Sequence, residues 1–194
     1  MNPNDTRVVQ TRARIRAVFY TLLAEKPVSR ITVKEICEQA GVNRSTFYKH
    51  YADPYDLLEQ CEASMLANLQ QRLDAVKSQD HTTLIREVLR YMQQSGKDFG
   101  ALSSVNGDPT LPAKLFSTTY QMIYPRFAQR YPNLSPDQCE LLYQYLTAGC
   151  SSVLSHWVQN GVALSVDEVV QFLQRANSGL LQEYRIDLIS IKRI

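Results

Sequence analysis

The sequence of 194 residues lacks the features that define several protein classes. Its four cysteines, Cys37, Cys61, Cys139 and Cys150, show no CxxC or Cys/His ligand spacing. Neither a disulfide framework nor a metal site is therefore expected, and a reducing cytosol is indicated. No apolar run approaches the roughly 20 residues that a membrane-spanning helix needs, and the polar N-terminus is unlike a signal peptide. We expect no membrane partner.

Motifs for catalysis are missing as well. The chain has three histidines, and it shows no Gly-rich phosphate loop after a strand, no nucleophile elbow and no metal-binding motif. These absences argue against an enzyme, and no cofactor is predicted.

The most informative segment runs from Thr32 to Tyr51 and predicts two short helices joined by a glycine turn. Thr32 and Glu35 form a capping-box pattern that begins the first helix, and Gly41 can adopt the left-handed conformation that ends it. Asn43 is a favoured N-cap for the second helix. The apolar stripe of the first helix consists of Val33, Ile36, Cys37 and Ala40. A unit of this kind is typical of proteins that read the major groove of DNA.

Positive charge is concentrated around this segment. Residues 1–50 contain nine Lys/Arg and four Asp/Glu, a net charge of +5, whereas residues 51–194 contain twelve and fifteen, a net charge of −3. A basic module on a mildly acidic remainder suits a protein that contacts phosphates with one end. The alternative, for the charge alone, is an ordinary solvated face.

Two kinds of DNA contact are predicted. Arg44 is the first choice for reading base edges, together with Ser45 and Thr46 at the start of the second helix. Phe47 and Tyr51 are assigned to the core. The candidates for phosphate contact are Arg7, Arg12, Arg14, Arg16, Lys34, Tyr48, Lys49 and His50.

Some of these side chains have an alternative role. Tyr48 could pack against helix one, and His50 could cap backbone groups. The helix-one arginines could be solvated only.

From Thr11 to Leu58 the sequence resembles the TetR family of bacterial transcription regulators. The resemblance rests on the long first helix, the helix-turn-helix, and the run T-F-Y-K-H-Y from Thr46 followed by Asp56-Leu57-Leu58. One departure is Pro54, which stands where the family usually has a lysine that meets a phosphate. The resemblance implies that these residues lie against DNA: Thr32, Lys34, Arg44, Ser45, Thr46, Tyr48, Lys49 and His50.

The same resemblance implies an all-α fold of two domains. Residues 1–51 form a three-helix helix-turn-helix DNA-binding domain, and residues 52–194 form a larger helical domain for ligand binding, regulation and dimerisation. Apolar periodicity predicts the individual helices. They run over 6–25, over 53–77, from Thr82 or Thr83 to Gly96, from Asp108 until Pro125 kinks or ends the helix, over 136–160, and from Ser165 onward, with a short helix and loop over 96–108. The tail 180–194 could prolong the last helix, pair as a strand or fray.

Dimerisation is predicted from the last two major helices, whose apolar residues cover more than one face. A four-helix bundle between two copies would cover them. The alternative is internal packing in a monomer. The interface residues predicted are Leu142, Leu146, Val153, Trp157, Val169, Phe172 and Leu173.

The resemblance also implies a small-molecule effector bound among the middle helices. The aromatic residues that could line such a site are Tyr91, Phe99, Phe116, Tyr120, Tyr124, Phe127, Tyr145 and Trp157, although an aromatic stripe is also typical of ordinary core. The segments Leu154–Gly161 and Ser165–Val170 resemble a TetR branch related to regulators of dihydroxyacetone metabolism. Some members of that branch act through partner proteins.

The function predicted is therefore a bacterial, cytoplasmic transcription regulator, found on the nucleoid when bound. As a homodimeric repressor it would bind a palindromic operator in double-stranded DNA and be released by a small molecule. The alternatives are an activator controlled by a protein partner, and a helical interaction scaffold without sequence-specific DNA binding.

Overall fold

A computed structural model describes residues 6–76, 81–118, 120–160 and 163–183, which are helical and contain no strand. The helices are α1 (Thr6–Glu25), α2 (Val33–Ala40), α3 (Arg44–Tyr48), α4 (Pro54–Ala75), α5 (His81–Leu102), α6 (Leu111–Thr118), α7 (Tyr120–Arg130), α8 (Pro136–Gln159) and α9 (Val166–Glu183), with a 3-10 turn over Val28–Arg30. The predicted all-α class is confirmed. None of the described helices is both long and apolar enough to cross a membrane.

Two compact units divide the chain. The first contains the described residues as far as Asn68 together with Ser95–Leu111, and the second contains Leu69–Gln94 and the described residues from Pro112 onward. Both α4 and α5 therefore contribute residues to each unit. Helix α5 is interrupted at Gly96, where φ is 36° and ψ is −108°, so the predicted break at this glycine is confirmed.

The helix-turn-helix forms largely as the sequence predicts. The Thr32 hydroxyl accepts a hydrogen bond from the Glu35 amide at 3.2 Å, and the Glu35 carboxylate accepts one from the Thr32 amide at 3.0 Å. Gly41 ends α2 in the left-handed conformation, with φ 62° and ψ 42°. Phe47 and Tyr51 are buried in the first unit with their ring centres 5.6 Å apart, and Phe19 of α1 and Leu57 of α4 are fully buried in the same unit.

Helix α3 is shorter than expected. Asn43 occupies the N-cap position, but its side chain makes no capping hydrogen bond. The amides of Lys49 and His50 bond to carbonyls three residues earlier, Thr46 at 3.3 Å and Phe47 at 2.9 Å, so the chain continues as a tight turn after Tyr48. No glycine or proline in the sequence marks this early end.

The region 108–125 differs from the prediction. Asp108 does not begin a helix, because its carboxylate accepts from the Thr110 amide at 2.8 Å in a turn, and α6 begins at Leu111. Pro125 does not end its helix, because α7 continues through it to Arg130. The proline lies in the second turn of α7, where its missing N–H removes one intrahelical hydrogen bond.

The last two helices begin where the sequence predicts, and α8 also ends there. Ser135 and Gln138 form a capping box at the start of α8, and Asn160 caps its end. The Ser165 hydroxyl accepts from the Glu168 amide at 3.3 Å, which starts α9. Residues 184–194 lie outside the described part of the chain. The predictions for this part of the tail therefore stay untested.

Candidate nucleic-acid interface

Helix α3 separates its polar and apolar side chains sharply. Arg44, Ser45 and Lys49 are exposed, whereas Phe47 has no exposed surface. Tyr48 is 57% exposed and only the edge of its ring meets Phe47, at a centroid distance of 5.7 Å. Its ring is therefore available at the surface and is not buried against helix one.

The start of α2 places a cation beside α3, although an acid accompanies it. Lys34 is 64% exposed, and its Nζ atom lies 3.8 Å from the carboxylate of Glu38, one helical turn later. The attraction between the two charges is weak because both side chains are exposed to water. Sequence reasoning missed Glu38, although an (i, i+4) Lys/Glu pair on a helix was a readable signal.

Thr32 is engaged by the helix cap. Its hydroxyl donates to the Glu35 carboxylate at 2.8 Å, and its amide donates to the same carboxylate. Lys26 Nζ lies 2.5 Å from the other Glu35 oxygen. This ion pair with Lys26 is the main reason, followed by the hydrogen bonds from Thr32, why the pKa of Glu35 falls from 4.5 to about 2.

Two helix-one arginines contact neighbouring helices of their own chain. Arg12 Nη2 lies 3.4 Å from the side-chain oxygen of Gln60, and its guanidinium lies 6.0 Å from the ring centre of Tyr51. Arg16 donates to the Ser64 hydroxyl at 3.0 Å. These contacts join α1 to α4 within the first unit. Two of the four arginines of α1 therefore have a partner within the protein and need no phosphate to account for their presence.

His50 is half-buried at the end of the α3 segment. Its carbonyl accepts a hydrogen bond from the Gln60 side chain at 3.2 Å. Burial, with the nearby charges of Arg12 and Lys49, lowers the pKa of His50 below 6.5. The imidazole is therefore neutral near pH 7, so it can donate a hydrogen bond to a phosphate but adds no charge.

The start of α4 is rigid without the lysine that the resemblance would place at position 54. The Asp53 carboxylate accepts from the amides of Tyr55 and Asp56 at 2.8 and 2.9 Å. Asp56 in turn accepts from the Ala52 amide at 2.7 Å. Asp53 is therefore the N-cap of α4.

The aromatic residues predicted to line an effector site are divided between the two compact units. Phe99 is buried in the first unit, and Tyr91 is buried in the second, with the Arg72 guanidinium 4.9 Å from its ring. Tyr145 is 69% exposed. The side chain of Phe116 lies outside the described part of the structure.

Three of the predicted aromatics do form a cluster on α7 and α8. Tyr120 and Tyr124 stack with centroids 4.8 Å apart, and Tyr143 meets both rings edge-on at 5.2 and 5.3 Å. Phe127 lies 5.4 Å from Tyr143. Tyr143 was missed, although it lies two residues before the predicted Tyr145 on α8.

Most residues predicted for the dimer interface are covered within the single chain. Trp157 is 7% exposed, and its indole N–H donates to the Leu164 carbonyl at 2.9 Å, so it holds the turn between α8 and α9. Phe172 is exposed. Leu142, Val169 and Leu173 are buried, and Leu146 and Val153 are half-buried.

The cysteines are inert in this structure. All four are buried thiols, and burial raises the pKa of each one. Among the described residues, no group of three His, Cys, Asp or Glu side chains is arranged to hold a metal ion.

A capped helix, a left-handed glycine turn and a short helix with exposed cations define a helix-turn-helix DNA-binding protein. Comparison with known proteins gives the family. A family model described as bacterial regulatory proteins of the tetR family matches residues 17–61, and one described as a transcriptional regulator C-terminal region matches residues 79–179, more than half of the chain. The chain belongs to the TetR family of transcription regulators, which are not enzymes.

Individual relatives support the fold. The chain is 41% identical over 56 residues to YxbF, an uncharacterized HTH-type transcriptional regulator of Bacillus subtilis strain 168; this match covers 28% of the chain and spans only 15% of YxbF. A TetR transcriptional regulator from Streptococcus agalactiae 2603V has a TM-score of 0.66 at 23% identity, covering 88% of this chain and 94% of that one. The dihydroxyacetone kinase operon activator DhaS has a TM-score of 0.58 at 15% identity, covering 91% and 97%. At these identities the structures show a shared fold.

Proposed function

We propose that this regulator acts as a homodimer that places α3 of each copy in the major groove of a palindromic operator. The observation that carries the proposal is the division of α3, which exposes Arg44, Ser45 and Lys49 while Phe47 anchors it in the core. A helix this short and this polar has no interior partner for its exposed side. DNA bases and phosphates provide one.

Each exposed residue has a role that follows from its chemistry. Arg44 forms two hydrogen bonds to guanine, with Ser45 and Thr46 beside it, because these residues begin the recognition helix. Lys34, Tyr48, Lys49 and His50 contact phosphates, His50 as a neutral donor. Thr32, the N-cap of α2, lies near the DNA backbone. It donates no hydrogen bond to a phosphate, because its hydroxyl and its amide both donate to Glu35.

The test is selection of bound DNA from a random pool, followed by titration of wild type and Arg44→Ala on the selected site and its single-base variants. Arg44→Ala should relax one base pair of each half-site by about 1 to 3 kcal/mol. Arg90→Ala is the control, because it removes an exposed arginine of α5, outside the unit that holds the helix-turn-helix. An Arg44→Ala protein with unchanged affinity and base preference would refute the assignment, and a wild type indifferent to sequence would favour a scaffold.

An exposed apolar surface on α8 and α9 supports the dimer. Leu141 and Tyr145 lie one turn apart on α8 and are 71% and 69% exposed, and Phe172 of α9 is 54% exposed. Large apolar side chains at this exposure are typical of residues that a partner covers. A second copy would cover them with the same surface and would set two α3 helices about 34 Å apart, or a multiple of that distance.

The signal that controls DNA binding is proposed to act on the Tyr120–Tyr124 stack, whose rings are half-buried and therefore partly open to a planar ligand. Tyr120 donates to Glu140 at 2.5 Å, and this hydrogen bond raises the pKa of its phenol to about 12 and lowers the pKa of the Glu140 carboxyl, so the phenol stays protonated beside a carboxylate. A compound that releases the selected DNA from wild type should fail to release it from Tyr124→Ala.

Repression is the proposed direction of control. The fold is also that of DhaS, which is named as an activator, so activation through a protein partner is the alternative outcome. A reporter driven by the selected operator distinguishes the two, because deletion of a repressor raises expression and deletion of an activator lowers it.

A further inference from the structure

Asn106 contacts the beginning of the chain from a loop far along the sequence. Its side-chain amide donates to the Leu23 carbonyl at 3.1 Å, 83 residues away. Its own carbonyl accepts from the Val28 amide at 3.1 Å. Both contacts lie within the first compact unit, to which Ser95–Leu111 belongs.

The two groups that Asn106 satisfies are ones that a helix end leaves without partners. Leu23 lies in the last turn of α1, where carbonyls have no intrahelical donor, and Val28 begins the 3-10 turn, where amides have no intrahelical acceptor. One residue therefore fixes both sides of Glu25–Pro27, the bend where the chain leaves α1. The next elements are the cap of α2 and then α3.

The loop is built to hold Asn106 in place. The backbone amide of Asn106 donates to the Ser104 hydroxyl at 3.2 Å, and that hydroxyl donates to the Ala101 carbonyl at 2.8 Å. The Asp108 amide donates to the Leu102 carbonyl at 2.7 Å. A Cβ at Gly107 would lie 2.3 Å from that same carbonyl, so only glycine fits the closing turn.

An ion pair and a hydrogen bond connect the bend to the start of α2. Lys26 pairs with Glu35, and the Glu35 carboxylate accepts from the amide of Thr32, the N-cap of α2. Asn106 and Lys26 thus fix the connection between α1 and α2 from two directions. The orientation of α3 depends on that connection, because the helix-turn-helix docks on α1 through it.

We propose that the Ser103–Asp108 loop is part of the DNA-binding module and that Asn106 is a positioning residue for the recognition helix. This inference rests on the proposed DNA-reading function. It extends the module beyond the first 51 residues to a segment that contacts no DNA. Loss of the Asn106 donor would leave the Leu23 carbonyl without its partner and would loosen the bend, so operator affinity would fall without removal of any DNA contact.

The experiment compares full-length wild type, Asn106→Asp and Val105→Asp on the operator selected above and on random DNA. Asn106→Asp keeps the backbone carbonyl and the shape but replaces the donor to Leu23 with a carboxylate. Val105→Asp is the matched control, because it adds the same negative charge at an 88% exposed position of the same loop. At a temperature where thermal melts show each protein folded, we expect Asn106→Asp to bind the operator roughly 3- to 10-fold more weakly than Val105→Asp. The salt dependence of the two variants should be the same, because neither loses a phosphate contact.

The outcomes separate the inference from the function on which it rests. Wild type without sequence preference would overturn the proposed function, whereas a folded Asn106→Asp that binds like wild type would overturn the positioning role alone. A merely structural role would lower the melting temperature and leave the affinity of the folded protein unchanged. If Asn106→Asp does not fold, hydrogen exchange of the wild type tests the inference instead. A Val28 amide that exchanges as slowly as the amides of α2 supports the positioning role of Asn106, and one that exchanges as fast as an exposed amide overturns it.

Discussion

Glu35 joins three parts of the DNA-binding region through one carboxylate. It pairs with Lys26 after the end of α1, and it accepts from the amide and hydroxyl of Thr32 at the start of α2. These contacts favour the ionised form in the folded state, which is why its pKa is about 2 compared with 4.5 for an unperturbed glutamate. The stabilisation is therefore complete above pH 4.5 and is lost as the pH falls toward 2.

Glu35→Gln should remove this acid sensitivity while keeping the capping box, since glutamine can accept from the same Thr32 groups. We expect the free energy of unfolding to depend less on pH between 4.5 and 2 in the variant than in wild type. Urea denaturation at pH 5 and pH 2.5 measures this difference. Glu38→Gln serves as the control because its carboxylate makes only the long contact with Lys34. Equal pH slopes in wild type and Glu35→Gln would contradict the assignment.

Glu38 has a second consequence at the residue scale. Its negative charge lies 3.8 Å from the Lys34 ammonium, on the helix that leads into α3. Glu38→Gln should tighten DNA binding on all sequences and steepen the salt dependence, because Lys34 then faces phosphates without a competing carboxylate.

Lys49→Ala should weaken DNA binding on all sequences and reduce the slope of log affinity against log salt concentration by about one. Fluorescence anisotropy titrations across salt concentrations test both, and a shallower slope for Glu38→Gln would exclude this role.

Among the elements, helix starts were the most predictable from sequence. The boxes at Thr32, Ser135 and Ser165 each depend on side chains three residues apart, so the local sequence contains the whole interaction. The end of α3 at Tyr48 was not predictable from its own residues, since no glycine or proline follows Tyr48 directly. The role of Arg12 was hidden for a similar reason, because its partner Gln60 is 48 residues away.

The turn between α2 and α3 offers a direct test at the element scale. Gly41 has φ 62°, and a Cβ added there would meet nothing within 4 Å. Any cost of Gly41→Ala is therefore a backbone cost, about 1 to 2 kcal/mol in the free energy of unfolding. Gly41→Asn should cost less because asparagine tolerates the left-handed conformation. Urea denaturation compares the two, and an Asn variant less stable than the Ala variant would show that another contact controls this turn.

At the scale of the whole molecule, the division of the chain into compact units differs from what its linear order suggests. The predicted domains meet at residue 51, whereas the compact unit that holds the helix-turn-helix also includes Ser95–Leu111. No local pattern marks this association, because it depends on hydrogen bonds such as that from Asn106 to Leu23. The boundary at residue 51 stays a prediction about which residues touch DNA, and the compact unit adds residues that hold them in position.

The proposed dimer depends on the exposed residues of α8 and α9, which can be altered without disturbing the core. Leu141→Glu combined with Phe172→Glu should convert the dimer to a monomer, because these side chains are 71% and 54% exposed and their burial would require a second copy. Sedimentation equilibrium measures the change. Since both sites are surface positions, the melting temperature of the monomer should change little, apart from the contribution of dimerisation itself.

The same pair of substitutions links assembly to DNA recognition. A dimer binds its second half-site at high effective concentration, so the monomeric variant should lose at least roughly 100-fold in affinity for the full operator while keeping wild-type affinity for an isolated half-site. Ala113→Glu is the control, because it places a glutamate at an exposed position of α6 in the same compact unit as α8 and α9. If the double variant stays dimeric and binds the operator as wild type does, the exposed residues of α8 and α9 are not the interface. The proposed binding to a palindrome would then require a dimer that forms through another surface, because two recognition helices on a palindrome are related by a two-fold axis.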